Sequence, residues 1–294
     1  MTQGTLLKYA DIKFRETDLA LLGKAVKIVE QYEEAGYAMS LRQLYYQLVA
    51  RGHIENSQQS YTKVGRLISD GRMAGLVSWT AIEDRGRNLM GLATQLSPKE
   101  AVKAARAEYR RDLWEDQPYR PEMWEEKQAL EGVIGPVCDE ERINFFSTRG
   151  YNSMSEAWRA GQRFARYIQR GQRPVVFYLG DHDPSGIDMT RDVEERLTLF
   201  CGVPVQVIRL ALNMDQIREV NPPPNPAKMS DSRAADYVAK YGDESWELDA
   251  LSPDYLGTLI RNAVGAFRDA KLWDAALARE AADLDELDNV VEGL

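Results

Sequence analysis

The chain has 294 residues, 44% of them hydrophobic and 28% charged, with a formal net charge of -9. That length accommodates roughly two domains of ~150 residues and a core that needs no staples, and no apolar run approaches the ~18 residues of a membrane helix. Two cysteines, Cys138 and Cys201, and two histidines, His53 and His182, exclude zinc fingers and histidine-rich sites, so any metal must be held by oxygen, as magnesium or manganese is.

The opening MTQGTLLKYADIKF has neither a basic nor an apolar signal region, and a reducing, cytoplasmic compartment is expected. The charge is segregated. Residues 40 to 111 hold twelve Lys and Arg against six acids, and residues 241 to 294 hold thirteen acids against four bases. The net charge therefore hides a basic front, which suits a phosphate partner, and an acidic tail.

In chain order, Thr17-Asp18 starts a helix carrying Leu19, Leu22, Val26, Val29 and Tyr32, which Gly36 ends. Ser40 and Gln43 form a capping box for a second helix, closed by Gly52. A third runs from about Ser57 to Asp70, and 76 to 82, LVSWTAI, reads as a strand. Three helices and a β-ribbon make a winged helix-turn-helix, a module that docks on DNA or on other proteins. Residues 88 to 118 read as a helical connector. From Pro118 strands and helices alternate: PEMW, a helix to about Val137, INFFST at 143 to 148, a helix from Ser153 to about Arg170, PVVFYLG at 174 to 180, a helix to about Leu199, and VPVQVI at 203 to 208. Such alternation predicts a parallel sheet that binds ligands at the carboxyl ends of its strands. The segment 220 to 228, VNPPPNPAK, is expected to lack regular structure, and the acidic remainder to be helical, with Ser252-Pro253 opening a helix. The expected fold is thus α/β with an α-rich front: a winged-helix domain with its connector at 1 to 117, a sheet domain at 118 to 212, and a helical extension at 213 to 294.

On a helical wheel, Leu41, Leu44, Tyr45, Leu48 and Val49 form one stripe, and Arg42 and Tyr46 lie outside it, one turn apart. Tyr45 is expected in the core and Tyr46 outside, its hydroxyl beside a guanidinium that binds a phosphate or favours the phenolate. On the third helix Gln59, Lys63 and Arg66 share a face opposite Tyr61, Val64 and Ile68; with Arg72 they are the candidate DNA contacts. Asp181 and Asp183, at i and i+2 after an apolar strand, point to one side and can converge on a divalent cation. Asp283 and Asp285 share that spacing but fall in a solvated acidic helix. A third carboxylate is Glu126, at the first strand-helix junction beside Lys127, with Glu125 as its competitor.

Glu126-Lys127, Gly150 and Asp181-x-Asp183-Pro-x-Gly resemble a Toprim domain, and SLRQLYYQL at 40 to 48 is similar to the active-site helix of topoisomerase VI A subunits and their meiotic double-strand-break relatives. The resemblance covers roughly residues 18 to 212, and the chain is most similar to the stand-alone "mini-A" branch, as is WELDALSP at 246 to 253. It implies a winged helix followed by a Toprim sheet, and Tyr46, the second paired tyrosine, as a nucleophile forming a 5′-phosphotyrosyl link to double-stranded DNA. Arg42 and Lys127 would assist, Glu126, Asp181 and Asp183 would hold Mg2+ (or Mn2+), and a homodimer would share its sites between protomers. An ATPase partner, where one exists, would be a separate chain. The rival expectations are a hydrolytic nuclease similar to that of Wadjet plasmid-defence systems, and a catalytically idle DNA-binding module.

Overall fold

A computed structural model describes residues 6–37, 39–79, 82, 94–151 and 153–294. The front of the chain is helical because its segments are apolar at helical spacing, and serines cap all but the first of them. Helix α1 (Glu16–Glu34) is followed by α2 (Leu41–Ala50), which opens on the Ser40/Gln43 capping box, and by α3 (Gln58–Met73), which opens on Ser57. Leu22, Ile28 and Val29 of α1, Leu44 and Leu48 of α2, and Val64 and Ile68 of α3 meet in one core. Helix α4 (Pro98–Glu108) then starts at Ser97 with proline in its first turn.

The strand expected at 76 to 82 is not found among its described residues. Residues 76 to 79 are irregular, and Ile82 makes a single parallel bridge to Met39. The cause is local: the amides of Leu76 and Val77 donate to the Gly71 carbonyl, and Val77 is buried against α3 where Gly71 has no side chain. The start of the segment is thereby drawn onto the end of α3. The remainder of the expected ribbon, and residues 88 to 93 of the connector, lie outside the described residues.

Strands β1 (Tyr119–Glu125), β2 (Asn144–Ser147), β3 (Arg173–Leu179) and β4 (Gln206–Ala211) form a parallel sheet in the order β2-β1-β3-β4. Its inner strand β3 is apolar on both faces, as a sheet covered on both sides requires, whereas β1 beside it buries Glu122, which pairs with Arg163 of α6 (Met154–Gln169), and Glu125. Val175, Phe177 and Leu179 of β3 face α5 (Glu131–Glu140), whereas Val176 and Tyr178 face α6 and α7 (Pro184–Cys201). Strand β4 begins three residues later than VPVQVI suggested, because Val203 and Pro204 belong to the turn after α7.

Beyond the sheet come α8 (Met214–Val220), α9 (Ala234–Tyr241), α10 (Pro253–Gly265) and α11 (Ala270–Gly293). The proline-bearing excursion is less irregular than expected, since β5 (Asn225–Pro226) pairs antiparallel with β6 (Glu244–Ser245). The core of the front helices continues through Met123 and Leu179 of the sheet to Leu248, Ile260 and Val264 of the tail. The segregated charges also meet within the chain: Arg106 of α4 forms a two-pronged pair with Asp288 of α11, at 2.8 Å for both contacts, and Arg111 pairs with Asp283 at 2.7 Å. No helix among the described residues is long and apolar enough to cross a membrane.

Helices α6 and α7 approach closely at Gly161, where an added Cβ would stand 2.5 Å from the Phe200 Cβ and 2.9 Å from its carbonyl carbon. We expect Gly161→Ala to destabilise the protein by about 1 to 3 kcal/mol through overpacking. Gly135→Ala, whose methyl would reach only 3.5 Å from the Phe145 ring, should be neutral or stabilising. Thermal melts of the two variants check this.

Candidate functional site

Adjacent strands β1 and β3 end level with each other, Glu125 opposite Leu179, so Glu126-Lys127 and Gly180-Asp181-His182-Asp183 emerge side by side at the carboxyl edge. The Asp181 amide donates to Glu126 Oε2 at 3.1 Å. Gly180 allows this approach, for a Cβ there would lie 3.1 Å from the same oxygen. Asp183 caps α7: its Oδ1 accepts from the Gly186 amide at 2.6 Å and from Ser185 Oγ at 2.9 Å. Gly186 is required because a Cβ would collide with the Asp181 carbonyl.

Two residues that the sequence reading passed over shape this loop. Arg209 of β4 ties it to its surroundings with all five guanidinium donors: Nη2 on the loop carbonyls of Gly180 and Asp181, Nη1 on the Gly186 carbonyl and Thr190 Oγ1 of α7, and Nε on the Leu212 carbonyl. His182 is buried, and burial lowers its pKa to about 4, so the imidazole is neutral. Its Nδ1 lies 2.7 Å from the Tyr237 hydroxyl, and its backbone exchanges two hydrogen bonds with Trp246, of 2.8 and 3.0 Å.

That exchange delivers WELDA to the site. The Leu248 amide donates to Asp181 Oδ1 at 2.8 Å, and Lys127 Nζ pairs with Asp181 Oδ2 at 2.8 Å, with Glu247, and with Asp249 Oδ2 at 3.6 Å. Burial works against the Lys127 ammonium, but Asp249, Asp181 and Glu247 outweigh it and hold its pKa above that of an ordinary lysine. Burial also pushes the Asp181 carboxyl up, and Glu247, Glu126 and Asp249 add to the rise against the pull of Lys127. Glu126 is likewise raised, chiefly by burial.

The network continues to the front helices. Arg42 Nε lies 3.3 Å from Asp249 Oδ2, and Arg42 Nη2 lies 3.4 Å from Glu247 Oε2 and 3.5 Å from the Tyr46 hydroxyl. Tyr46, Arg42, Glu247, Lys127 and Asp181 thus form one chain of polar contacts within a single polypeptide. The expectation that Tyr46 faces outward needs correction, because it is only 8% exposed. One-turn helices at Gln128–Leu130 and Leu248–Ala250 cover the side of α2 that its own periodicity leaves polar, burying Gln43 and Gln47 as well. Burial first, and Glu247 second, raise the Tyr46 pKa against the pull of Arg42, so the phenol is the stable form at neutral pH. Tyr45 is in the core as expected, and its hydroxyl donates to Asn56 Oδ1 at 2.8 Å.

Several carboxylates gather at this edge. Asp181, Glu247 and Asp249 pair with Lys127 or Arg42, and Glu126 accepts from the Asp181 amide beside them. Among the described residues no three acidic, histidine or cysteine side chains stand in cation-holding geometry; the oxygens of Asp181 and Asp183 are instead engaged by Lys127, Leu248, Ser185 and Gly186. The competitor Glu125 is fully buried beneath the edge.

Three of the four candidate DNA contacts, Gln59, Lys63 and Arg66, are exposed on α3, and the fourth, Arg72, is half-buried. Lys63 pairs with Asp18 of α1 at 2.9 Å and Arg66 lies 3.8 Å from it. Arg72 turns inward to the Trp79 and Ile82 carbonyls, at 3.2 and 2.5 Å, and tethers the loop after α3. No protein-family model and no curated protein matches the chain.

Lys127→Met should leave the surrounding carboxylates without their central cation, at a cost of about 3 kcal/mol or more at neutral pH. The Glu126 and Asp181 carboxyls, which burial already raises against the pull of Lys127, should titrate higher still in the folded variant. The deficit should therefore shrink as pH falls through their range and grow as pH rises. Denaturant unfolding of wild type and variant at about pH 5 and pH 8 measures it.

Proposed function

We propose that the chain is a magnesium-dependent, DNA-cleaving transesterase of the topoisomerase VI A type. The observation that carries the reading is the continuous set of contacts from the Tyr46 hydroxyl through Arg42, Glu247 and Lys127 to the strand-end carboxylates. Tyr46 Oη attacks a backbone phosphorus and forms a 5′-phosphotyrosyl ester. The phosphorus-oxygen bond to the neighbouring sugar breaks, the phenol loses its proton and the leaving sugar oxygen gains one. Arg42 would hold the phosphate oxygens beside the hydroxyl, and Lys127 would give a proton to the leaving oxygen. A magnesium ion on Glu126, Asp181 and Asp183 would supply stabilisation of the charge on that oxygen. Because the ester conserves the bond energy, resealing needs no ATP, and directional strand passage would need an ATPase on another chain. The buried, high-pKa phenol favours a second reading, hydrolysis by the same carboxylates with Tyr46 as a bystander.

Denaturing gels of end-labelled duplex separate the two. Tyr46→Phe should abolish protein-linked ends, Tyr45→Phe should mainly lower stability, and Asp181→Asn or Asp183→Asn should lose magnesium-dependent cleavage. Asn at 183 keeps the α7 cap, so the loss there reports charge rather than folding. Asp283→Asn, on α11, should cut normally. Cleavage by Tyr46→Phe at the wild-type rate would establish hydrolysis.

A double-strand break needs two nucleophiles, and a homodimer with the symmetry of the duplex supplies them. The resemblance implies sites shared between protomers; the contacts within one chain support sites completed in cis. Mixing Tyr46→Phe with Asp181→Asn protein should then restore nothing, whereas single-strand nicking by the mixture would show that protomers share their sites.

A further inference from the structure

Between α2 and the start of α3 lies a cleft of about 240 Å³, lined by Arg42, Tyr45, Tyr46, Asn56, Gln58 and Tyr61, with Ser57 at its edge. It shares Arg42 and Tyr46 with the polar network that reaches Glu247 and Asp249. Its lining contains no acid, although the chain carries a net charge of -9. One wall is aromatic: the Tyr45 ring packs on Tyr46 at 5.2 Å and edge-on to Tyr61 at 5.3 Å. The other wall is polar and largely fixed. Asn56 accepts from Tyr45 Oη and donates to Asn225, and Ser57 Oγ is bound to Ser60. Gln58 is exposed, and its amide presents one acceptor and two donors.

We propose that this cleft takes one nucleobase of the cleaved DNA, swung out of the helical stack next to the phosphate that Tyr46 attacks; the proposal rests on the transesterase reading above. Aromatic faces with an amide at the edge are the chemistry by which proteins hold unstacked bases, through stacking and hydrogen bonds to the base edge. An apolar ligand would leave the polar wall unmatched, and an isolated phosphate would leave the three rings unused. Arg42, half-exposed and shared by both compartments, would hold the phosphate while the cleft holds the adjoining base. The enzyme would thereby select where it cuts, favouring bases that stack well and pairs that open easily.

Two measurements test the proposal. In the first, covalently attached ends from a random-sequence duplex pool are sequenced. Wild type should show a preference of roughly tenfold for certain bases at one fixed position flanking the break. Gln58→Ala and Tyr61→Leu should flatten it to about twofold while total adduct persists, and Tyr61→Phe, which keeps the ring, should retain most of it. Adducts with no flanking preference, or with one that survives in both variants, would overturn the cleft and leave the transesterase standing. In the second, 2-aminopurine is walked through a duplex bound to Tyr46→Phe protein, so that no cleavage is needed. Its fluorescence should change at one position only, and adding Tyr61→Leu should remove the change. Absence of wild-type adducts in the first measurement refutes the transesterase. The second then decides the cleft alone: response at no position, or a response indifferent to Tyr61, overturns it.

Discussion

The Lys127 ammonium, only 14% exposed at the end of the first strand, sets the terms for the rest of this structure. Taking a cation out of water costs several kcal/mol unless charges and hydrogen bonds replace the solvent. The chain replaces it with carboxylates from two distant places, Asp181 after the third strand and Glu247 and Asp249 from the tail. Because those acids outnumber the ammonium, a second cation is recruited, and Arg42 on α2 supplies it. One buried charge thus ties front helices, sheet and tail together, and the apolar core that runs through all three follows the same route.

The loop that carries Asp181 and Asp183 is held with unusual redundancy. Arg209 binds the carbonyls of Gly180 and Asp181, Asp183 caps the following helix, and a backbone exchange with Trp246 fixes His182. Neutral His182, braced by Tyr237, fills the space beneath. A loop that presents carboxylates to a shared charge must resist their mutual repulsion. Backbone-directed hydrogen bonds do this without neutralising the carboxylates themselves.

The same network joins two compartments with different chemistry. Arg42 pairs with the carboxylates of Glu247 and Asp249 and also lines an acid-free cleft of tyrosines and amides. The proposed reaction needs both, because a phosphate must be gripped where negative charge is concentrated while the attached base is kept away from it. An arginine shared between them meets that need, since its planar fork can address an oxygen anion on one edge and acidic partners on the other.

Local physics was legible in the sequence. Serine caps, the 3.6-residue stripes of α1 to α3, and the apolar strands placed Tyr45 in the core and brought Glu126, Asp181 and Asp183 to one sheet edge, because these depend only on neighbours a few residues away. Tyr46 was misjudged for the complementary reason. A helical wheel records which side of a helix is polar but not what covers that side, and here one-turn helices from Gln128–Leu130 and Leu248–Ala250 cover it. LVSWTAI had the composition of a strand, but pairing needs a partner that composition does not supply. Glu247 and Asp249 had a faint signal, acids alternating with Trp246 and Leu248 in an otherwise solvated acidic tail. Their place beside Lys127 follows from the bridge between Trp246 and His182, a contact across more than sixty residues. The sequence by itself determined the elements and the sheet edge at which chemistry would gather. Only the tertiary structure decided which charges balance one another there, because electrostatic partnership depends on distance and burial in space and not on separation along the chain.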